Sequence, residues 1–286
     1  MLSYRHAFHA GSFADVLKHA VLVHALRHTV LKPRPVYFLD THAGAGSYDL
    51  ASAMAQKTGE FRGGIERVLA AGGKVPELLR PYLELVRDAN RPGELRVYPG
   101  SPALARAVLR PQDRIELIEL HGTDHAALAA WTAPGTTARR EDGLAALAHR
   151  LPPPERRGVV LIDPSYELKT DYQDVVAALA IAHHRFATGT FLLWYPVIER
   201  ARTDAMLAGL AATGIARQYR LELGLRPDAP GRGMTACGLV VVNPARTLPA
   251  AADAALPWLA SVCGATGPRR AEWLVPPPGL EILPSK

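Results

Sequence analysis

A chain of 286 residues, 48% of them apolar, is long enough to bury one large α/β core or two small ones, and it is too apolar to be disordered. A formal charge of +6 and a pI near 9.5 tilt the expected partner towards a polyanion, although a solvated basic face is an ordinary alternative. Two cysteines, Cys237 and Cys263, lack metal-ligand spacing and are too few for a disulfide framework, so the expected setting is the reducing cytoplasm.

The opening residues carry Arg5, His6 and His9 and no continuous apolar stretch. No secretory signal is expected, and no run is long enough to cross a bilayer. Ser12-Phe13-Ala14-Asp15 has the form of a capping box. A helix should follow, with Val16, Leu17, Ala20, Val23, Leu26 and Leu31 at helical spacing until Pro33 and Pro35 end it. Lys18 and His19 fall near its start. His24 and His28, four apart, have no carboxylate or thiol beside them and read as a solvated face rather than a metal site.

Val36 to Leu39 reads as a first strand running into Asp40-Thr41-His42-Ala43-Gly44-Ala45-Gly46. Glycines directly after a strand let the backbone approach a ligand closely, as in Rossmann-like nucleotide sites. Asp49 stands where a dinucleotide site has its third glycine. An acid there would repel a pyrophosphate, which favours S-adenosylmethionine over a nicotinamide cofactor. From about residue 51 to 96 the pattern becomes helical, with Ile65, Val68 and Leu69, then Leu78, Leu79, Tyr82, Leu85 and Val86, broken at Gly72-Gly73 and at Asn90 to Gly93. This reads as a helical insertion in a single domain spanning residues 1–286, because strand patterning resumes after it. Tyr98 to Pro102 then opens a helix that Ser101 could cap, or Ser101 could offer its hydroxyl to a ligand.

Ile115 to Glu119 alternates and ends in an acid, the position from which a nucleotide-binding sheet receives ribose hydroxyls. Thr136 to Arg140 is a weak third strand leading to Asp142-Gly143, placed either to meet an adenine edge or simply to turn. Val159 to Ile162 is a buried parallel strand that ends in Asp163-Pro164-Ser165-Tyr166. The Asp163 carboxylate and the Pro164 carbonyl are adjacent acceptors and Tyr166 supplies a flat face, a set that could hold an aromatic amine. The bland alternative is a strand ending in a turn. A helix over 175–186 and strands over 190–195, 217–223 and 238–242 follow. Between the last two strands lies a Gly- and Pro-rich loop with Arg226 and Arg232, and from Trp258 a short helix and a proline-rich tail close the chain. The fold class is therefore α/β, a Rossmann-like, mostly parallel sheet of seven strands with helices on both faces.

Several separate stretches resemble the RlmJ family of 23S ribosomal RNA adenine N6 methyltransferases, within the class I S-adenosylmethionine-dependent enzymes. They are Met1 to His6, His9 to Gly11, Asp15 to His19, Leu39 to Gly46, Tyr98 to Pro102, Asp163 to Glu167, Lys169 to Tyr172, Arg185 to Gly189, Trp194 to Pro196 and Gly233 to Ala236. The resemblance implies methylation of one adenine in 23S ribosomal RNA, expected at adenine 2030. A cytoplasmic monomer that needs no metal is the accompanying expectation, although the sequence itself does not reveal oligomeric state. The resemblance also implies that His19, His42, Ser101, Glu119, Asp142, Gly143 and Asp163 contact S-adenosyl-L-methionine, and Lys18, Asp40 and Gly44 in the same motifs join that set. Asp163 is implied as catalytic with Pro164 and Tyr166, and Tyr4, with Arg5 and His6, as meeting the RNA. Ser165 departs from the pattern, which usually has a second proline there.

The same tetrapeptide chemistry would serve a DNA adenine or a protein glutamine methyltransferase, since fold and motif do not fix the substrate. A nicotinamide-dependent oxidoreductase is disfavoured by Asp49 and the missing glycine. A non-catalytic RNA-binding module would follow if Ser165 had spoiled the site.

Overall fold

The strand Gly158–Ile162 (β6) is buried at every residue, and its side chains alternate between two cores. Val159 and Leu161 enter one, Val160 and Ile162 the other, so helices must cover both faces of the sheet. The computed structural model describes residues 4–229 and 233–280. Arg232 and the first three residues of the opening motif lie outside the described residues, as does the end of the proline-rich tail.

Tyr37–Asp40 (β1) is paired in parallel with β6 on one side and with Arg114–Ile118 (β4) on the other. Thr136–Arg139 (β5) continues the parallel array beyond β4, and Thr190–Val197 (β7) continues it beyond β6. Ala236–Val242 (β9) pairs antiparallel with β7, Gln218–Gly224 (β8) with β9, and Arg269–Val275 (β10) with β8. The full order is β10-β8-β9-β7-β6-β1-β4-β5. Chain order reverses around β1 and β6, and the crevice at their carboxyl ends is where open α/β sheets bind ligands.

Among the described residues the sheet thus has eight strands where the sequence leads one to expect seven. The additional strand, β10, is an edge strand with exposed Arg269, Arg270 and Glu272, so it lacks the apolar run that marks an interior strand. The helix before it is also longer than expected. It spans Leu248–Cys263 (α10) and carries Trp258 in its interior, Pro249 falling in the first turn where proline is tolerated and Pro257 within the helix.

Phe13–Thr29 (α1) is buried on nearly all sides, between the sheet and the helices Arg80–Asp88 (α4) and Ser101–Val108 (α5). Its buried set includes three polar residues, Asp15, Lys18 and His19. Ser12 is its N-cap residue yet makes no side-chain cap, and Asp15 instead accepts the Gly11 N–H at 2.9 Å. Leu31, expected in the helix, lies beyond its end and is exposed. Two further helices, Ala53–Thr58 (α2) and Arg67–Ala70 (α3), precede α4. This helical stretch runs between Ser47–Asp49 (β2) and Val97–Pro99 (β3), which pair as a separate antiparallel ribbon. Gly143–Arg150 (α7), Asp171–Arg185 (α8) and Arg200–Ala212 (α9) cover the opposite face.

Gly143 begins α7 against the end of β1, where any Cβ would overlap the Thr41 carbonyl. Gly143→Ala should therefore lower stability in urea by about 1–3 kcal/mol, the usual cost of forcing extra volume into a packed site. Gly72→Ala, which meets open space, is the control and should change little. Equal stability of the two variants would show that the α7 start is free to move.

Candidate active site

Every parallel strand flanking the crevice ends in a polar segment. After β1 come Thr41 to Gly46, after β4 Glu119, after β5 Asp142 and after β6 Asp163. These ends open on a cavity of about 1070 Å³. Of the residues expected to act, Tyr4, His6, Lys18, His19, His42, Ser101, Glu119, Asp142, Gly143, Asp163, Pro164 and Tyr166 line it. Arg5, Asp40 and Gly44 do not.

Lys18 is the buried centre of the site. Its Nζ donates to Asp163 Oδ2 at 2.6 Å and lies 2.9 Å from Asp15 Oδ1, one turn earlier on α1. Two carboxylates thus share one ammonium, and their titrations part company. Burial would lower the Lys18 pKa, but Asp15 and Asp163 outweigh it and hold the ammonium charged well above its ordinary range. Burial would raise Asp15, yet His6, Lys18 and His19 keep it well below the carboxylate range. At Asp163 burial prevails over Lys18 and raises the pKa. Asp163 therefore remains a basic acceptor with Oδ1 uncommitted.

The amino-terminal arm crosses this centre. His6 Nε2 is 2.9 Å from Asp15 Oδ2, and Tyr4 Oη is 3.0 Å from His6 Nδ1. The Tyr4 N–H donates to Glu167 Oε1 at 3.1 Å, tying the arm to the Asp163 loop as well. Arg5, outside the cavity wall, pairs with Asp124 at 3.0 Å. His19 meets Tyr98 Oη at 2.7 Å, and burial lowers its pKa to about 3, so it is neutral.

On the other side of the cavity, Glu119 accepts the Gly44 N–H at 2.8 Å and the His121 N–H at 2.7 Å. Gly44 thus supports the wall from behind, with a positive φ of 58° and no space for a Cβ beside the Tyr48 hydroxyl. Asp142 caps α7, its Oδ1 accepting from the Leu144 and Ala145 N–H groups at 2.9 and 3.0 Å. Burial lowers the His42 pKa to about 4. Ser101 caps nothing, since Gly100 is the N-cap of α5, and its hydroxyl-bearing side chain lines the cavity. Asp49 sits in β2 away from the wall, with Arg96 3.5 Å from it. Its charge therefore does not select the cofactor in the way the sequence suggested.

Tyr166 adopts a positive φ of 53°, its hydroxyl donates to the Trp194 carbonyl at 2.8 Å, and its ring lies edge-on to Trp194. Residues that sequence reasoning did not place in the wall include Asp15 and Trp194. A signal for Asp15 existed: an acid and a lysine three apart in a helix otherwise apolar on most sides need a buried partner. Among the described residues no group of three or more His, Cys, Asp or Glu could hold a metal, and no helix is long and apolar enough to cross a membrane.

The wall suits a nucleoside-like cofactor. Glu119 and Asp142 are acceptors in it, and the volume slightly exceeds the ~300–1,000 Å³ usual for ligand pockets. Parallel strands with a reversed β9, a glycine turn after β1 and acids at successive strand ends together define a class I S-adenosylmethionine-dependent methyltransferase. A family model described as "Ribosomal RNA large subunit methyltransferase D, RlmJ" matches residues 33–275. The chain is 47% identical to ribosomal RNA large subunit methyltransferase J of Escherichia coli over 280 residues, covering 96% of this chain and 100% of that one. It is 46% identical to the Haemophilus influenzae protein of the same name, with the same coverage. A solved structure, protein LPL1258 from Legionella pneumophila, superposes with a TM-score of 0.86 at 35% identity, over 93% of this chain and 98% of that one. The chain belongs to the RlmJ methyltransferase family, and its methyl donor is S-adenosylmethionine.

Asp40 is fully buried, with Oδ1 accepting the His42 N–H at 3.2 Å and the Ser101 hydroxyl offsetting part of the effect of burial. Burial raises its pKa from 3.8 to about 7. The folded state therefore prefers the protonated form, and the stability tied to it is complete below about pH 4 and lost as pH rises through about 7. Asp40→Asn should unfold at a higher temperature than the parent at pH 8 and at a similar one at pH 4. A gap in melting temperature that is constant with pH would contradict this.

Proposed function

We propose that this chain methylates N6 of one adenine in 23S ribosomal RNA, at adenine 2030. The observation that carries the reading is the Asp163 carboxylate at the crevice, with Oδ2 taken by Lys18 and Oδ1 left for substrate beside Pro164. The names of the relatives support the class of RNA.

An adenine amine is a poor nucleophile because its lone pair is delocalised into the ring. Asp163 Oδ1 and the Pro164 carbonyl would accept its two N–H bonds, turning the lone pair out of the ring plane. Bound S-adenosylmethionine supplies an electrophilic methyl group. With that group bound, N6 would gain the methyl while the donor's sulfur keeps the C–S bonding pair, and N6 would shed one proton, which Asp163 is suited to take. Orientation and fixed charge provide most of the acceleration. The base must leave its stack to arrive there. Exposed Tyr4, Leu120, Leu168 and Ile198 also line the cavity, offering apolar surface to unstacked bases. Tyr166 then serves as a wall for the adenine ring, and basic groups of the arm and the Arg226 loop steer the phosphates.

Mass spectrometry of nucleosides tests the reaction directly. Incubated with unmodified 23S ribosomal RNA, the protein should form N6-methyladenosine at a single position, and DNA and protein substrates should stay unmethylated. Asp163→Ala should lower turnover by about 10²- to 10³-fold or more while changing calorimetric affinity for S-adenosylmethionine only a few-fold. Undiminished turnover in that variant would remove Asp163 from the chemistry. RNA affinity should also fall steeply between 50 and 200 mM salt, as phosphate contacts require; a flat response would contradict the electrostatic part of the reading.

A further inference from the structure

The contacts around Lys18 close a ring. From Asp163 it passes through Lys18 to Asp15, from Asp15 to His6, along the arm to Tyr4, and from the Tyr4 N–H to Glu167, four residues after Asp163. The arm and the methyl-transfer carboxylate are thus joined twice, once through Glu167 in the loop of Asp163 and once through Asp15 and Lys18. Asp15 is almost wholly buried and spends both oxygens on the ring, Oδ1 on Lys18 and Oδ2 on His6 and the Gly11 N–H. It does not reach Asp163 itself. Stabilising the start of α1 would require only the Gly11 contact, so the other two contacts call for another explanation.

We propose that Asp15 is a positioning residue for methyl transfer, which sets how much of the Lys18 charge Asp163 receives and locks the Tyr4–His6 arm to that setting. The inference rests on the assignment of Asp163 as the acceptor of the adenine amine. With Asp15 present, one ammonium is divided between two carboxylates, and Asp163 keeps the electron density an N–H acceptor needs. Without that charge, Lys18 would bind Asp163 alone, weakening it as an acceptor, and His6 would lose its anchor. The titratable groups facing the pair are Lys18 and His19 of α1, Tyr4, His6 and His9 of the arm, Asp40 at the end of β1, Tyr48 of β2, Tyr82 of α4, Tyr98 of β3, Tyr166 in the loop of Asp163, and Cys237 of β9. Among these, Asp15 raises the Asp163 pKa and Lys18 lowers it.

The test is the pH profile of single-turnover methylation of a 23S ribosomal RNA fragment by the parent, Asp15→Asn and Asp15→Glu. Activity of the parent is measured first, because its absence would overturn the assigned reaction and leave the role of Asp15 a separate matter of the Lys18–Asp163 geometry, read by carboxylate NMR titration. In Asp15→Asn the maximal rate should fall about 10- to 100-fold, as for loss of a charge-assisted buried hydrogen bond, and the acid limb should move to lower pH. Affinity for S-adenosylmethionine should stay within a few-fold. Asp15→Glu keeps the charge and the cap, so it guards against failure of Asp15→Asn to fold. Its acid limb should stay in place while its rate falls, because the longer side chain shifts Lys18. A uniform loss across pH in Asp15→Asn, or full activity in Asp15→Glu, would overturn the proposal.

Discussion

One buried ammonium organises the functional end of this molecule. Removing a charge from water costs several kcal/mol unless partners replace the lost hydration, and Lys18 finds them in Asp15 on its own helix and Asp163 on the sheet. Satisfying both requires α1 to lie over the carboxyl end of β6 at one rotation and one depth. That requirement explains why the buried polar residues of α1, Asp15, Lys18 and His19, cluster at its amino-terminal end.

The sheet supplies the rest by topology. Because strand order reverses at β1 and β6, loops that are far apart in sequence converge on one crevice. The converging acids are then differentiated by their surroundings. Glu119 is raised by burial against two backbone N–H donors, Asp142 is committed to a helix cap through one oxygen, and Asp163 is raised by burial against a shared lysine. Similar carboxyl groups thereby acquire distinct capacities to accept hydrogen bonds from sugar, base and amine.

Much of this arrangement could be read from the residues. The apolar run before Asp163 and the glycines after β1 marked strand ends, because buried parallel strands and close backbone approaches leave strong compositional traces. Weaker traces misled. The edge strand β10 opens with charged residues and runs into prolines, so it resembled a tail, and Pro257 obscured the length of α10. Ser101 looked like a cap although the preceding glycine holds that position, a distinction of one residue that only backbone dihedrals decide. Asp49 looked like part of a phosphate-facing loop, but the hairpin with β3 carries it away. Contacts of long sequence separation were the least legible. The distance from Lys18 to Asp163 is 145 residues in the chain and one hydrogen bond in space, and no periodicity encodes that meeting. Asp15 has only local partners and left a signal in its spacing to Lys18, but its role depends on what α1 packs against.

The most direct test of the account is a structure of the protein with S-adenosylhomocysteine and an RNA fragment bearing the target adenine. It should place the flipped N6 at about 3 Å from Asp163 Oδ1, with Lys18 still bound to Oδ2 and the product sulfur facing N6 from outside the plane of the adenine ring. An adenine lodged elsewhere in the cavity, or Lys18 released from Asp163 to bind a phosphate, would contradict it.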